Sequence, residues 1–96
     1  MSITSEQCRA ARALVAWSQD QLALASAVAK TTIANFETDK RAPYDRTLLD
    51  LQRALEAAGV EFIPENGGGV GVRLKHRRAT IDQGKSPDEL TSENDG

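Results

Sequence analysis

Apolar positions in the first 59 residues recur at three- and four-residue intervals, and polar capping signals punctuate them. Thr4-x-x-Gln7 is a capping box: the Thr4 hydroxyl can accept from the Gln7 amide, and the Gln7 side chain can reach back. Ile3 and Cys8 flank it at hydrophobic-staple spacing. Cys8, Ala11 and Val15 then form the stripe of a helix predicted from about Ser5 to Ala16. Ser18-x-x-Gln21 repeats the signal, with Trp17 and Leu22 as its staple, and opens a short helix from about Gln19 to Ser26. Val28, Ile33 and Phe36 share one face of a third helix. It must end near Thr38-Asp39, because Lys40-Arg41-Ala42-Pro43 reads as a turn. Asp45 is placed to cap a fourth helix whose stripe is Leu48, Leu51 and Leu55, and Gly59 is a natural residue to end it.

Beyond Gly59 the periodicity changes. Val60-Glu61-Phe62-Ile63 and Val70-Gly71-Val72-Arg73-Leu74 are short and β-prone, and a proline- and glycine-rich loop separates them. That order predicts an antiparallel hairpin. An isolated two-stranded hairpin is marginal in water, so it must dock on the helices or pair with a second copy of the chain. From about Ala79 the chain is Ser, Asp, Glu, Gly and Pro with almost nothing apolar, which predicts a disordered tail.

Composition narrows the function classes. Ninety-six residues hold one small domain and a tail, with little room for a deep substrate cleft. No apolar run is long enough to span a bilayer, and Met1-Ser2-Ile3-Thr4 opens no signal peptide, so the expected compartment is the cytoplasm with no membrane partner. A single cysteine, Cys8, excludes an intrachain disulfide and a cysteine-based zinc cluster. His76 has no second histidine beside it, so no metal site is expected. Gly67-Gly68-Gly69 lacks the pattern of a phosphate loop, and no catalytic constellation is present; the chain reads as a non-enzyme with no cofactor. The net charge of -2 is divided unevenly. Residues 1–59 balance at zero, Lys75-His76-Arg77-Arg78 is basic, and residues 82–96 carry five acids against Lys85 alone. The overall acidity therefore belongs to the tail and says little about the face of the folded part.

Two short helices joined by three or four residues and followed by a basic turn have the outline of a helix-turn-helix. Val28, Ile33 and Phe36 face inward, which leaves Lys30, Thr31, Thr32 and Asn35 facing out. Lys can donate to guanine O6 or N7, Asn can pair bidentately with adenine, and a Thr methyl can touch the thymine methyl. Trp17-Ser18-Gln19-Asp20-Gln21-Leu22-Ala23, then Val28 to Glu37, then Lys40-Arg41-Ala42-Pro43, then Thr47-Leu48-Leu49-x-Leu51-x-x-Ala54-Leu55 resembles, in order and spacing, the Cro/C1-type (XRE-like) helix-turn-helix family of phage repressors and small bacterial regulators. The resemblance covers about residues 6–59.

The resemblance implies a mainly α, four- to five-helix, lambda-repressor-like DNA-binding domain over residues 1–59. A β-hairpin follows at 60–75 and a tail, basic then acidic, at 76–96. It places base readers on Lys30, Thr31 and Asn35, with Thr32 at the edge. Phosphate contacts fall on Gln19, Lys40 and Arg41, with Tyr44 and Arg46 able to add to them. It also implies a structural ion pair between Arg12 and Glu37. Three positions depart from the family's habit: Ala27 stands for a turn glycine, Ala29 for a capping Ser or Thr, and Asp39 for a glycine after the recognition helix.

The expected function is sequence-specific binding of double-stranded operator DNA by a homodimeric regulator of transcription. Val60, Phe62, Ile63, Val72 and Leu74 are the expected dimer interface, because unpaired strand edges invite pairing. Two rivals use the same fold. One is the antitoxin of a toxin-antitoxin pair, whose hairpin and tail would bind a toxin protein while its helices bind its own promoter; Ile81 and Leu90 are nearly all the apolar anchors the tail offers. The other is a protein-interaction adaptor that has lost DNA binding, against which stand Gln19, Lys30, Asn35, Lys40 and Arg41.

Overall fold

A computed structural model describes residues 2–76 of the chain; the acidic tail and Arg77-Arg78 lie outside the described residues. The elements run α1 (Ser5–Leu14), α2 (Gln19–Ser26), α3 (Lys30–Glu37), α4 (Asp45–Ala57), β1 (Val60–Ile63) and β2 (Gly71–Leu74). Both predicted capping boxes form. Gln7 N donates to Thr4 Oγ1 at 3.1 Å, and Thr4 N donates to Gln7 Oε1 at 2.9 Å. Ser18 and Gln21 repeat the exchange at 3.1 and 2.7 Å. Each pair satisfies amides that the first turn of a helix would otherwise leave orphaned.

Two helix boundaries differ from expectation. The first helix stops at Leu14 rather than Ala16, because Ala16 takes a left-handed conformation with φ 57°. Trp17 N then donates to Arg12 O at 2.9 Å and Ala16 N to Ala13 O at 3.2 Å, the paired bonds of a Schellman ending. At the fourth helix, Tyr44 and not Asp45 holds the capping position, and it makes no side-chain capping bond. Asp45 lies one residue further, inside the first turn, where its negative charge faces the positive end of the helix dipole. Gly59 follows the α4 cap at φ 110°, a conformation that most other residues resist.

The core joins all the elements. Ile3, Cys8, Ala11, Leu22, Val28, Ile33, Phe36, Leu51 and Leu55 are buried together with Val60 and Phe62. The hairpin is thus docked on the helices and shares their core, the first of the two arrangements open to it. Its register pairs Val60 with Leu74 and Phe62 with Val72. Alternation puts Val60 and Phe62 inward and Glu61 outward, where Glu61 bonds Arg73 across the strands at 3.1 and 3.3 Å. The second strand begins at Gly71, one residue later than the β-prone run, and Val70 is exposed. Gln7 does further work here. Its Nε2 donates to Gly71 O at 2.9 Å and Ile63 O at 3.3 Å, clamping the loop end of the hairpin to α1.

These facts correct part of the expected dimer interface. Val60 is 0% exposed and Phe62 is 9% exposed, both within the protomer's own core, so neither side chain is available to a partner. Ile63, Val72 and Leu74 are half-buried.

Left-handed alanines end two helices, Ala16 and Ala27 (φ 61°), and both are exposed. An L-residue with a Cβ is disfavoured there by about 1–2 kcal/mol, and removing these methyls uncovers no core. Ala16→Gly and Ala27→Gly are each predicted to raise stability by about 1 kcal/mol, read as a higher urea midpoint with unchanged slope. A lower midpoint in both variants would contradict the reading.

Candidate nucleic-acid interface

The turn between α2 and α3 is closed by Ser26. Its hydroxyl donates to Leu22 O at 2.7 Å and accepts from Val28 N at 3.2 Å, while Ala27 supplies the left-handed bend. Val28 is then buried, and α3 starts at Lys30 after an Ala29 that makes no side-chain capping bond. The sequence placed Val28 in this helix; its burial comes instead from the turn that leads into it. At the far end, Lys40 N donates to Asn35 O at 2.8 Å and Asp39 N to Phe36 O at 3.0 Å, with Asp39 left-handed at φ 59°. This is a second Schellman ending, and Asp39 carries it where glycine is usual. The Asp39 carboxylate also accepts from the buried Ser5 hydroxyl at 2.7 Å, which ties the end of α3 to the start of α1.

The inner face of α3 is anchored by Ile33, Phe36 and Glu37. Glu37 is only 2% exposed, and its carboxylate is surrounded by donors. Arg12 approaches with two nitrogens, Nε to Oε2 at 2.7 Å and Nη2 to Oε1 at 2.6 Å. Gln19 Nε2 donates to Oε1 at 3.0 Å, and the Cys8 thiol donates to Oε2 at 3.2 Å. Arg12 Nη1 also donates to Trp17 O at 2.9 Å, and Arg9 Nη1 donates to Glu37 O. Arg12 and Glu37 are therefore joined as expected. Burial pulls the Glu37 carboxyl upward, but the bonds from Arg12, Gln19 and Cys8 and the Arg12 charge outweigh it and hold it below the usual carboxylate range. Burial, then the bond and charge of Glu37, push the Cys8 thiol upward. Cys8 is thus a protonated donor to the ion pair as well as a core residue, a role its place on an apolar stripe did not signal.

The outer face of α3 and the following turn enclose a concavity of about 400 Å³. Thr31, Thr32 and Asn35 line one side, Arg41, Ala42, Pro43 and Tyr44 the turn, and Thr47 the first turn of α4. Of the expected base readers, Lys30 and Thr31 are exposed while Thr32 and Asn35 are half-buried. Lys30 lies outside this concavity and pairs with Asp20 of α2, Nζ to Oδ1 at 3.1 Å. Of the expected phosphate contacts, Arg41 and Tyr44 line the concavity, and Tyr44 is 85% exposed. Lys40 and Arg46 are exposed outside it, and Gln19 is engaged with Glu37. Sequence reasoning missed Thr47 and Asp20. Thr47 sits just before the α4 stripe, and Asp20 follows Gln19 directly, but only the fold shows what each one adjoins.

Among the described residues no group of three or more His, Cys, Asp or Glu could hold a metal ion, and no helix is long and apolar enough to cross a membrane.

Replacing Glu37 with Gln leaves the Arg12 charge without its counterion, which is predicted to cost about 3 kcal/mol at pH 7. A depressed carboxyl stabilises the fold above its unfolded pKa, and that contribution disappears as pH falls through the folded value. The difference between wild type and Glu37→Gln should therefore be full at pH 7 and shrink progressively below about pH 4. Urea unfolding at pH 7 and pH 2.5 measures it; an equal gap at both would be inconsistent with an ionised, paired Glu37.

A family model described as helix-turn-helix matches residues 9–62, more than half of the chain. No match to a curated protein is found.

Proposed function

The chain belongs to the Cro/C1-type helix-turn-helix family, and on that premise we propose that it is a sequence-specific, operator-binding regulator of transcription. The observation that supports this reading best is the outer face of α3. Its polar side chains, Thr31, Thr32 and Asn35, stand together beside the Arg41–Tyr44 turn, on a helix whose inner face is locked by Glu37. A helix of this kind fits the major groove, with side chains near its N-terminal end reaching base edges.

Asn35 reads adenine, Lys30 reads guanine, and the Thr31 and Thr32 methyls meet thymine. Lys40, Arg41, Tyr44 and Arg46 contact phosphates and set the register. Gln19, held by its bond to Glu37, keeps one amide hydrogen for the backbone. The regulator acts as a homodimer on a palindromic operator, with recognition helices spaced by about one DNA turn, roughly 34 Å. Ile63, Val72 and Leu74, strand side chains only half-buried in the protomer, are where the second copy pairs.

The test is to select duplexes from a random pool and compare the winner with a scrambled duplex by fluorescence anisotropy at two salt concentrations. The selected duplex should bind at least about 1,000-fold tighter, with both affinities falling as salt rises. Asn35→Ala should cost about 1–3 kcal/mol on the selected duplex alone, and saturation should require two chains per duplex. Failure of any duplex to emerge from selection would refute the reading; a stoichiometry of one would refute the dimer.

A further inference from the structure

Lys30 occupies a position that local electrostatics disfavour. It is the first residue of α3, where the helix dipole presents its positive end, and Ala29 before it makes no side-chain capping bond. The fold answers this with Asp20, from the first turn of α2, whose Oδ1 lies 3.1 Å from Lys30 Nζ. Both side chains remain largely in solvent, at 57% exposure for Lys30 and 73% for Asp20. An exposed pair of this kind adds little to folding stability. Its consequence falls on what Lys30 can bind.

We infer that Asp20 is a specificity-setting residue: it withdraws the Lys30 charge from indiscriminate phosphate binding and presents Lys30 as a donor to a base edge. The inference rests on the DNA-binding reading above. An ammonium group carries three N–H donors. One engages Asp20, which leaves two for guanine O6 and N7. A free lysine beside DNA attracts any phosphate and adds about one released counterion to every complex, matched or not. A lysine paired with a carboxylate brings no net charge, so it contributes little to binding a scrambled duplex. In the matched complex the base edge supplies acceptors that a phosphate track does not place there, and the carboxylate fixes the approach of the Lys30 side chain. The pair thus converts a charge that would raise all affinities into one that raises the matched affinity selectively.

Asp20→Asn keeps the shape and removes the charge. Because the pair is exposed, the variant should retain the wild-type thermal unfolding midpoint to within a few degrees. Its affinity for a scrambled duplex should rise about fivefold or more at 0.1 M salt, and the slope of log affinity against log salt should steepen by about one. The preference for the selected duplex should fall by at least about threefold. Repeating the substitution in a Lys30→Met background separates the pair from general repulsion of phosphate by Asp20, since coupling through Lys30 predicts little further change there. An Asp20→Asn protein with unchanged slope and unchanged preference, beside a wild type that still selects its duplex, would overturn the role of Asp20 alone. An equal effect in the Lys30→Met background would overturn the pairing. A wild type that binds no duplex would overturn the DNA reading and this inference with it.

Discussion

A carboxylate buried at 2% exposure stays charged only if the protein replaces the water it has lost, and the arrangement around Glu37 does so. Two nitrogens of Arg12, the Gln19 amide and the Cys8 thiol all donate to its two oxygens. Those donors come from α1 and from the start of α2, so one side chain of α3 fixes its helix against both neighbours. Ion pairing at this depth is a weak source of net stability, because desolvation offsets much of the attraction. What it supplies is orientation: few placements of α3 satisfy every donor at once. The positions of Thr31, Thr32 and Asn35 on the opposite face follow from that placement.

The helix ends serve the same geometry. Short helices of eight to thirteen residues are marginal by themselves and depend on their caps and packing. Here the N-terminal capping boxes of α1 and α2 are paired with left-handed endings at Ala16, Ala27 and Asp39. Each ending turns the chain sharply enough to bring the next helix back onto the core. At Ala16 the cost in backbone strain is offset by the Trp17 carbonyl, which turns to accept from Arg12. At Asp39 it is offset by the bond from Ser5. Gln7 applies the same economy to the hairpin, since one side chain both caps α1 and holds two carbonyls 56 and 64 residues away.

Much of this was legible in the sequence because it is local. Capping boxes, hydrophobic staples and apolar spacing act within a few residues, and they placed four helices and a hairpin correctly. The errors lie where a bond just beyond the helix or a contact across the fold overrides a residue's own preference. Alanine favours helix, so nothing local announced that Ala16 would leave it; the Arg12 and Trp17 bonds decide that. Asp45 is a good capping residue, yet the turn through Pro43 delivers Tyr44 to the capping position. Alternation in β1 was visible, but which face meets the helices was not, and so Val60 and Phe62 were assigned to a partner rather than to the core. The site divides in the same way. The Arg12–Glu37 pair came from family resemblance and is present, whereas its Cys8 donor, the Asp20–Lys30 pair and Thr47 on the concavity depend on the tertiary arrangement.

A locked α3 and the turn after it are the surface proposed to face DNA. Amide chemical shifts of the uniformly 15N-labelled chain, followed during titration with a selected duplex, test this most directly. The largest changes are predicted at residues 29–35 and 40–47, with the hairpin at 60–74 changing little on addition of DNA. Changes concentrated in the hairpin, with residues 29–35 unmoved, would contradict the account.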